Sequence, residues 1–202
     1  MGDPRLQAVF AGIAILAATV ALLHCAPEPL PVFGQVPAFA LVDQDGKPFG
    51  SAELRGRVYI ANFFFTRCPS ICPLLMRSVK RLQDACRDRE IQGIRLLSVS
   101  VDPEYDTPER LRAYGKEMGV DPARWTLVTG KAEEIRRLGQ EGFKVAVGTP
   151  EADASGLLDI AHTGKLVLVD GKGEIRGYFG TDEPGLKQIF RAAQSLLREK
   201  RD

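Results

Sequence analysis

The chain has 202 residues, 45% of them hydrophobic, with 27 Lys and Arg against 26 Asp and Glu and a formal net charge of +1. That length and apolar content suit one domain with its own core and a short additional segment. A near-neutral balance with no basic stripe excludes nucleic acid as a partner.

The additional segment comes first. Leu6 to Leu23 is apolar apart from Gln7 and Thr19, and as a helix it rises about 27 Å, close to the ~30 Å of a bilayer core. Arg5 precedes it, weakly offset by Asp3, so the positive-inside tendency keeps the N-terminus in the cytoplasm and exports the rest. The expectation is a transmembrane anchor or signal segment over residues 1–25. An uncleaved anchor ranks first. Leu22-Leu23-His24-Cys25 also resembles a lipoprotein attachment site, with His24 where a small residue is expected, and a cleaved signal peptide has the same layout. All three readings put the domain in a compartment that permits disulfides, the periplasm of a bacterium with the segment in its inner membrane. Residues 26–35 form a linker that Pro27, Pro29 and Pro31 make extended and semi-rigid.

The folded domain is expected over residues 36–202. Val36 to Phe49 reads as a hairpin turning at Asp45-Gly46. Val58 to Phe65 is a nearly continuous apolar run, the mark of a strand buried on both faces. The spacing of Leu75, Val79, Leu82 and Cys86 predicts a helix with one apolar stripe. Ile94 to Val101 is a second buried strand. Asp106-Thr107-Pro108-Glu109 starts a helix, with Asp106 as its N-cap and Leu111, Tyr114 and Met118 on its inner face. A short strand, Trp125 to Val128, and a short helix, Lys131 to Leu138, follow. Phe143 to Gly156 reads as a loop with a brief strand or turn. Lys165 to Asp170 and Glu174 to Phe179 form a second hairpin across Gly171-Lys172-Gly173, and a helix from Glu183 to Arg198 closes the chain. Alternating strands and helices with hairpins near both ends predict an α/β domain with a mixed sheet flanked by helices.

Chemistry concentrates in Cys68-Pro69-Ser70-Ile71-Cys72-Pro73 and in His162. A buried strand running into a Cys-x-x-x-Cys helix start puts two thiols at the strand's carboxyl end, where α/β sheets gather ligand sites. The helix start and Arg67 are expected to favour thiolate, and Pro69 and Pro73 to keep the pair in an exposed loop. Residues four apart share a helical face, so the sulfurs can hold one metal or close into a disulfide. The spacing is one residue longer than in a Cys-x-x-Cys redox centre. His162 is expected in a polar loop with Asp159, Thr163 and Gly164, before the Lys165 strand. Two thiolates and an imidazole suit Cu(I), whereas a structural zinc site wants four ligands. Cys86 reads as core, about 21 Å along the helix from Cys72, and Met76 as core or rim packing. Asp102 is left open between a turn residue and a carboxylate that serves as a further copper ligand or a partner contact.

Three ordered motifs carry a resemblance. Phe65-Thr66-Arg67-Cys68-Pro69-Ser70-Ile71-Cys72-Pro73, the run from Ser98 to Glu109, and His162-Thr163-Gly164-Lys165-Leu166-Val167-Leu168-Val169-Asp170 resemble segments of the SCO/SenC family, over roughly residue 36 to the end of the chain. The resemblance implies a thioredoxin-like fold with an inserted hairpin. It implies one copper ion, Cu(I) or Cu(II), bound by Cys68, Cys72 and His162, and delivery of copper to the copper A site of cytochrome c oxidase subunit II or a similar acceptor, from a possible upstream copper donor. Some members act as thiol reductants for that site. The chain departs from many relatives at Phe64, Ser70 and Ala161, where glycine, an acidic residue and, in mitochondrial relatives, aspartate are usual. The alternative to a metallochaperone is a thiol–disulfide oxidoreductase with Cys68 and Cys72 as its redox-active pair. A peroxidase-like thiol enzyme ranks below both.

Overall fold

The computed structural model describes residues 29–68, 72–152, 158–162 and 164–199, with 149–152 and 158–162 described as backbone alone. The expected anchor and residues 26–28 of the linker lie outside these residues, while the end of the expected linker, Gly34–Gln35, joins the sheet as a strand because its backbone pairs with Ile175 and Glu174; among the described residues no helix is long and apolar enough to cross a membrane. The chain divides into two units, Met1–Leu30 and Pro31–Asp202. The description below concerns the second.

A two-residue strand, β1 (Gly34–Gln35), comes first. The hairpin of β2 (Ala40–Asp43) and β3 (Pro48–Gly50) follows, and the short α1 (Ser51–Leu54) succeeds it. The Asp43 side chain holds the hairpin turn by accepting from the Asp45 and Lys47 amides, each at 2.9 Å. β4 (Val58–Phe64) is buried along its whole length, as its unbroken apolar run requires. α2 (Cys72–Asp88) then leads back to β5 (Ile94–Ser100), and α3 (Pro108–Met118) to β6 (Trp125–Thr129). These three strands are parallel neighbours.

α4 (Ala132–Arg137) runs directly into a π-helical turn, Leu138–Gly142. β7 (Val147–Ala152) and β8 (Leu158–His162) make a separate antiparallel ribbon. The brief strand expected within Phe143 to Gly156 is β7, and the part of that span after Ala152 lies outside the described residues. β9 (Leu166–Val169), β10 (Glu174–Phe179) and α5 (Glu183–Glu199) complete the chain.

The main sheet has eight strands in the order β1-β10-β9-β4-β5-β6-β2-β3. β4, β5 and β6 are its parallel centre, and both hairpins extend it with antiparallel strands. Even-numbered side chains of β4 face α2 and α3. Asn62 donates to Met76 Sδ at 3.6 Å and accepts from Ser98, which in turn accepts from the Trp125 indole at 2.9 Å. Phe64 meets the Tyr114 ring of α3 at 5.7 Å. On the other face Tyr59 and Phe63 meet Phe143 edge-on at 6.5 and 5.4 Å. α5 packs on β4, β9 and α2 through Leu186, Ile189, Phe190, Ala193 and Leu196, all buried. Each of the larger four of these side chains contributes roughly 1.5–3 kcal/mol by leaving water.

Candidate metal centre

The chain leaves β4 through Phe65, which is fully buried. The Cys68 amide donates to the Phe65 carbonyl at 3.3 Å and closes a turn. α2 opens at Cys72. The pair does not sit in an exposed loop, contrary to the expectation from Pro69 and Pro73: Cys68 is 5% exposed and Cys72 1%. Helical spacing is the reason. Cys72, Leu75, Met76 and Val79 fall on one face, and that face is turned to the sheet, so the first residue of the helix is drawn in with the rest.

The Cys72 thiol lies within hydrogen-bonding reach of the Cys68 thiol and of the Phe65 backbone. Burial pushes it well above the ordinary thiol range. The Phe65 backbone opposes that rise, and Cys68 and Asp106 add to it. The thiolate-favouring effect expected of the helix start is outweighed. Arg67 does not supply it either, because its Nε donates to Asp102 Oδ2 at 2.6 Å. Burial, with Cys72 and Asp106 beside it, also pushes the Tyr114 phenol up to about 12.

Two carboxylates of the loop after β5 reach this point. Asp102 is 2% exposed and ion-paired with Arg67. Its carbonyl accepts from the Tyr105 and Asp106 amides at 3.1 and 2.8 Å, so it is a turn residue as well. Asp106 is not the N-cap of α3. Thr107 takes that role, accepting from the Arg110 amide. Asp106 is instead fully buried, and burial raises its carboxyl above the ordinary range. It accepts from the Thr66 amide at 3.0 Å, from the Thr66 hydroxyl and from the Ser100 hydroxyl.

His162 is the last residue of β8, not a member of a polar loop. The alternation Leu158-Asp159-Ile160 is the signal for that strand. His162 pairs with Val147 of β7. Val147 is buried and packs on Gly139, where a Cβ would come within 2.3 Å of its Cγ2. Only glycine lets the π-helical turn approach β7 so closely. Val147 and Gly148 line an open cavity of about 320 Å³ together with Val101, Asp102 and Pro103. The end of β8 thus belongs to the same end of the sheet as the carboxyl ends of β4 and β5. The His162 side chain lies outside what is described, and among the described residues no three metal-ligating side chains converge.

Cys86 and Met76 are core, as expected, at 3% and 0% exposed. What the described residues bring together is a pair of adjacent, buried thiols. Such a pair can take one soft ion or close into a disulfide.

A family model described as SCO1/SenC matches residues 32–198. A Stutzerimonas stutzeri protein named for copper binding is 32% identical over 152 residues, 74% of this chain and 71% of that one. The fold is similar to the crystal structure of a SCO1/SenC family lipoprotein from Bacillus anthracis, with 28% identity and a TM-score of 0.74, covering 86% of this chain and 99% of that one. It is also similar to BsSco, a member of the Sco family of cytochrome c oxidase assembly proteins in which a disulfide switch was identified. There the identity is 29% and the TM-score 0.72, over 85% of this chain and 96% of that one.

Proposed function

The chain belongs to the SCO1/SenC family, and from that premise we propose that it is a copper metallochaperone for the copper A site of cytochrome c oxidase. Cys68 and Cys72 bind one copper ion as thiolates, and His162 is the third ligand. The observation that carries this reading is the side-by-side burial of the two thiols at the carboxyl end of β4. Soft sulfur ligands in a dry pocket hold Cu(I) in preference to harder ions. Three ligands leave an approach for an acceptor cysteine, so copper moves by stepwise ligand exchange. Burial holds Cys72 as a thiol in the metal-free protein, so uptake expels a proton and copper binding tightens as pH rises.

The membrane placement belongs to the same proposal. Residues 1–25 anchor the chain in the bacterial inner membrane, by a transmembrane helix or through lipid at Cys25, and the proline-containing residues between that segment and β1 hold the domain in the periplasm. The acceptor is subunit II of the oxidase or a protein with a similar copper site, loaded after an upstream donor has supplied the ion.

A second reading, reduction of an acceptor disulfide by Cys68 and Cys72, is favoured by the contact between the two thiols. The test is copper titration of the reduced full chain under anaerobic conditions, beside His162→Ala, with disulfide reductase activity measured on both. One copper per chain, bound at least tenfold more weakly by the variant, supports the chaperone; roughly that factor follows from loss of one ligand-level interaction of about 1.4 kcal/mol or more. No copper in either protein, with equal reductase activity in both, moves the assignment to the oxidoreductase.

A further inference from the structure

Asp106 is a fully buried carboxylate that the proposed copper chemistry does not use. Its partners are specific. Oδ2 accepts from the Thr66 amide at 3.0 Å and from the Ser100 hydroxyl, and Oδ1 accepts from the Thr66 hydroxyl. Thr66 is where the chain turns from β4 toward Cys68. The next residue, Arg67, is gripped by the same loop through Asp102 at 2.6 Å. That loop is braced in turn, because Ser100 Oγ accepts from the Asp102 amide at 3.2 Å and the Asp102 carbonyl accepts from the Asp106 amide at 2.8 Å. An ion pair or polar group buried for stability alone is commonly matched or bettered by a well-packed apolar residue. Three hydrogen bonds from one carboxylate to two strand ends supply what an apolar side chain cannot, which is direction.

We propose that Asp106 is a positioning residue for the Cys68–Cys72 pair: it clasps Thr66 at the carboxyl end of β4 to Ser100 at the carboxyl end of β5, and so fixes where the cysteine segment leaves the sheet. The proposal rests on the reading that Cys68 and Cys72 are the working pair. An asparagine could stand in only if the Thr66 hydroxyl turned round to accept from its NH2 group, whereas an alanine removes every acceptor and leaves the Thr66 amide without its partner.

The test follows alkylation of the reduced full chain by iodoacetamide, cysteine by cysteine, using peptide mass spectrometry. Cys86 is the internal reference. It is buried on α2 like Cys72 but lies far along the helix from the clasp. Asp106→Ala and Thr66→Val are expected to speed alkylation of Cys68 roughly tenfold or more relative to Cys86, the factor a single lost buried hydrogen bond gives in a local opening. They also shift the equilibrium of the Cys68–Cys72 disulfide with dithiothreitol, while Thr66→Ser, which keeps the hydroxyl, behaves as wild type. Equal acceleration of Cys68 and Cys86 shows a general loss of stability and overturns the proposal, as does an unchanged ratio with an unchanged disulfide equilibrium. Should Asp106→Ala fail to fold, Thr66→Val decides the matter, since it removes one hydroxyl and leaves the hydrogen bond from the Thr66 amide. Neither readout contains copper, so a failed copper titration leaves this result standing on its own.

Discussion

At the turn between β9 and β10, Asp170 Oδ1 accepts from the Lys172 and Glu174 amides at 2.9 and 3.0 Å, and its Oδ2 meets Arg176 at 2.7 Å. At the opposite end of the sheet Asp106 holds Thr66 and Ser100 through three neutral donors. Both aspartates are buried. The first is matched by a cation and serves its own turn, so its work is done within one hairpin. The second links two strand ends that meet only in the folded sheet, immediately before the cysteine segment. The contrast separates a residue that holds the scaffold from one that aims a site.

Variants at the two ends should therefore fail differently. The largest effect is expected from Cys72→Ser, which abolishes stoichiometric Cu(I) uptake in a competition titration while circular dichroism stays unchanged, because a hydroxyl is a poor partner for a soft ion. Arg176→Met should do the reverse. It leaves the Asp170 carboxylate buried without its cation and costs about 3–5 kcal/mol in urea unfolding, with copper affinity of the folded protein unaltered.

Gly139→Ala probes the connection between scaffold and site. Its methyl would collide with Val147, the pairing partner of His162. The expected cost is about 1–3 kcal/mol, accompanied by weaker copper binding because β7 must move. A loss of stability with unchanged copper binding would detach β7 from the site.

The smallest effect appears only in alkali. Burial pushes the Cys86 thiol from 9.0 up to about 11, with Arg124 and Arg89 pulling the other way. Between those values the unfolded chain releases the proton and the folded chain keeps it, so this contribution is complete below pH 9 and is lost as pH rises through about 11. Two units correspond to about 3 kcal/mol. The stability advantage of wild type over Cys86→Ala should narrow by that amount above pH 11, measured by urea unfolding.

The central strands were legible because β4 and β5 are buried on both faces and read as unbroken apolar runs. The stripes of α2 and α5 and the Gly171-Lys172-Gly173 turn were equally plain. The burial of the cysteines was present in the same pattern, one turn earlier: Cys72 continues the stripe of Leu75, Met76 and Val79, but two prolines pointed toward a loop. Asp106 was misread because Asp106-Thr107-Pro108 offers two good capping side chains in a row, and local sequence does not say which one the helix takes. The partners that decide it, Thr66 and Ser100, are distant or on another element. β8 and its pairing with β7 escaped because each strand is short and neither carries a long alternating run. Gly139 carries a packing role that no local pattern announces.

The outer strands of the eight-stranded sheet are β1, of two residues, and β3, of three. β3 begins at Pro48, which has no amide hydrogen to offer a neighbour. Edges this short give an incoming chain almost no row of open backbone groups to pair with. Docking by strand addition thus finds little to pair with on either of these two strands.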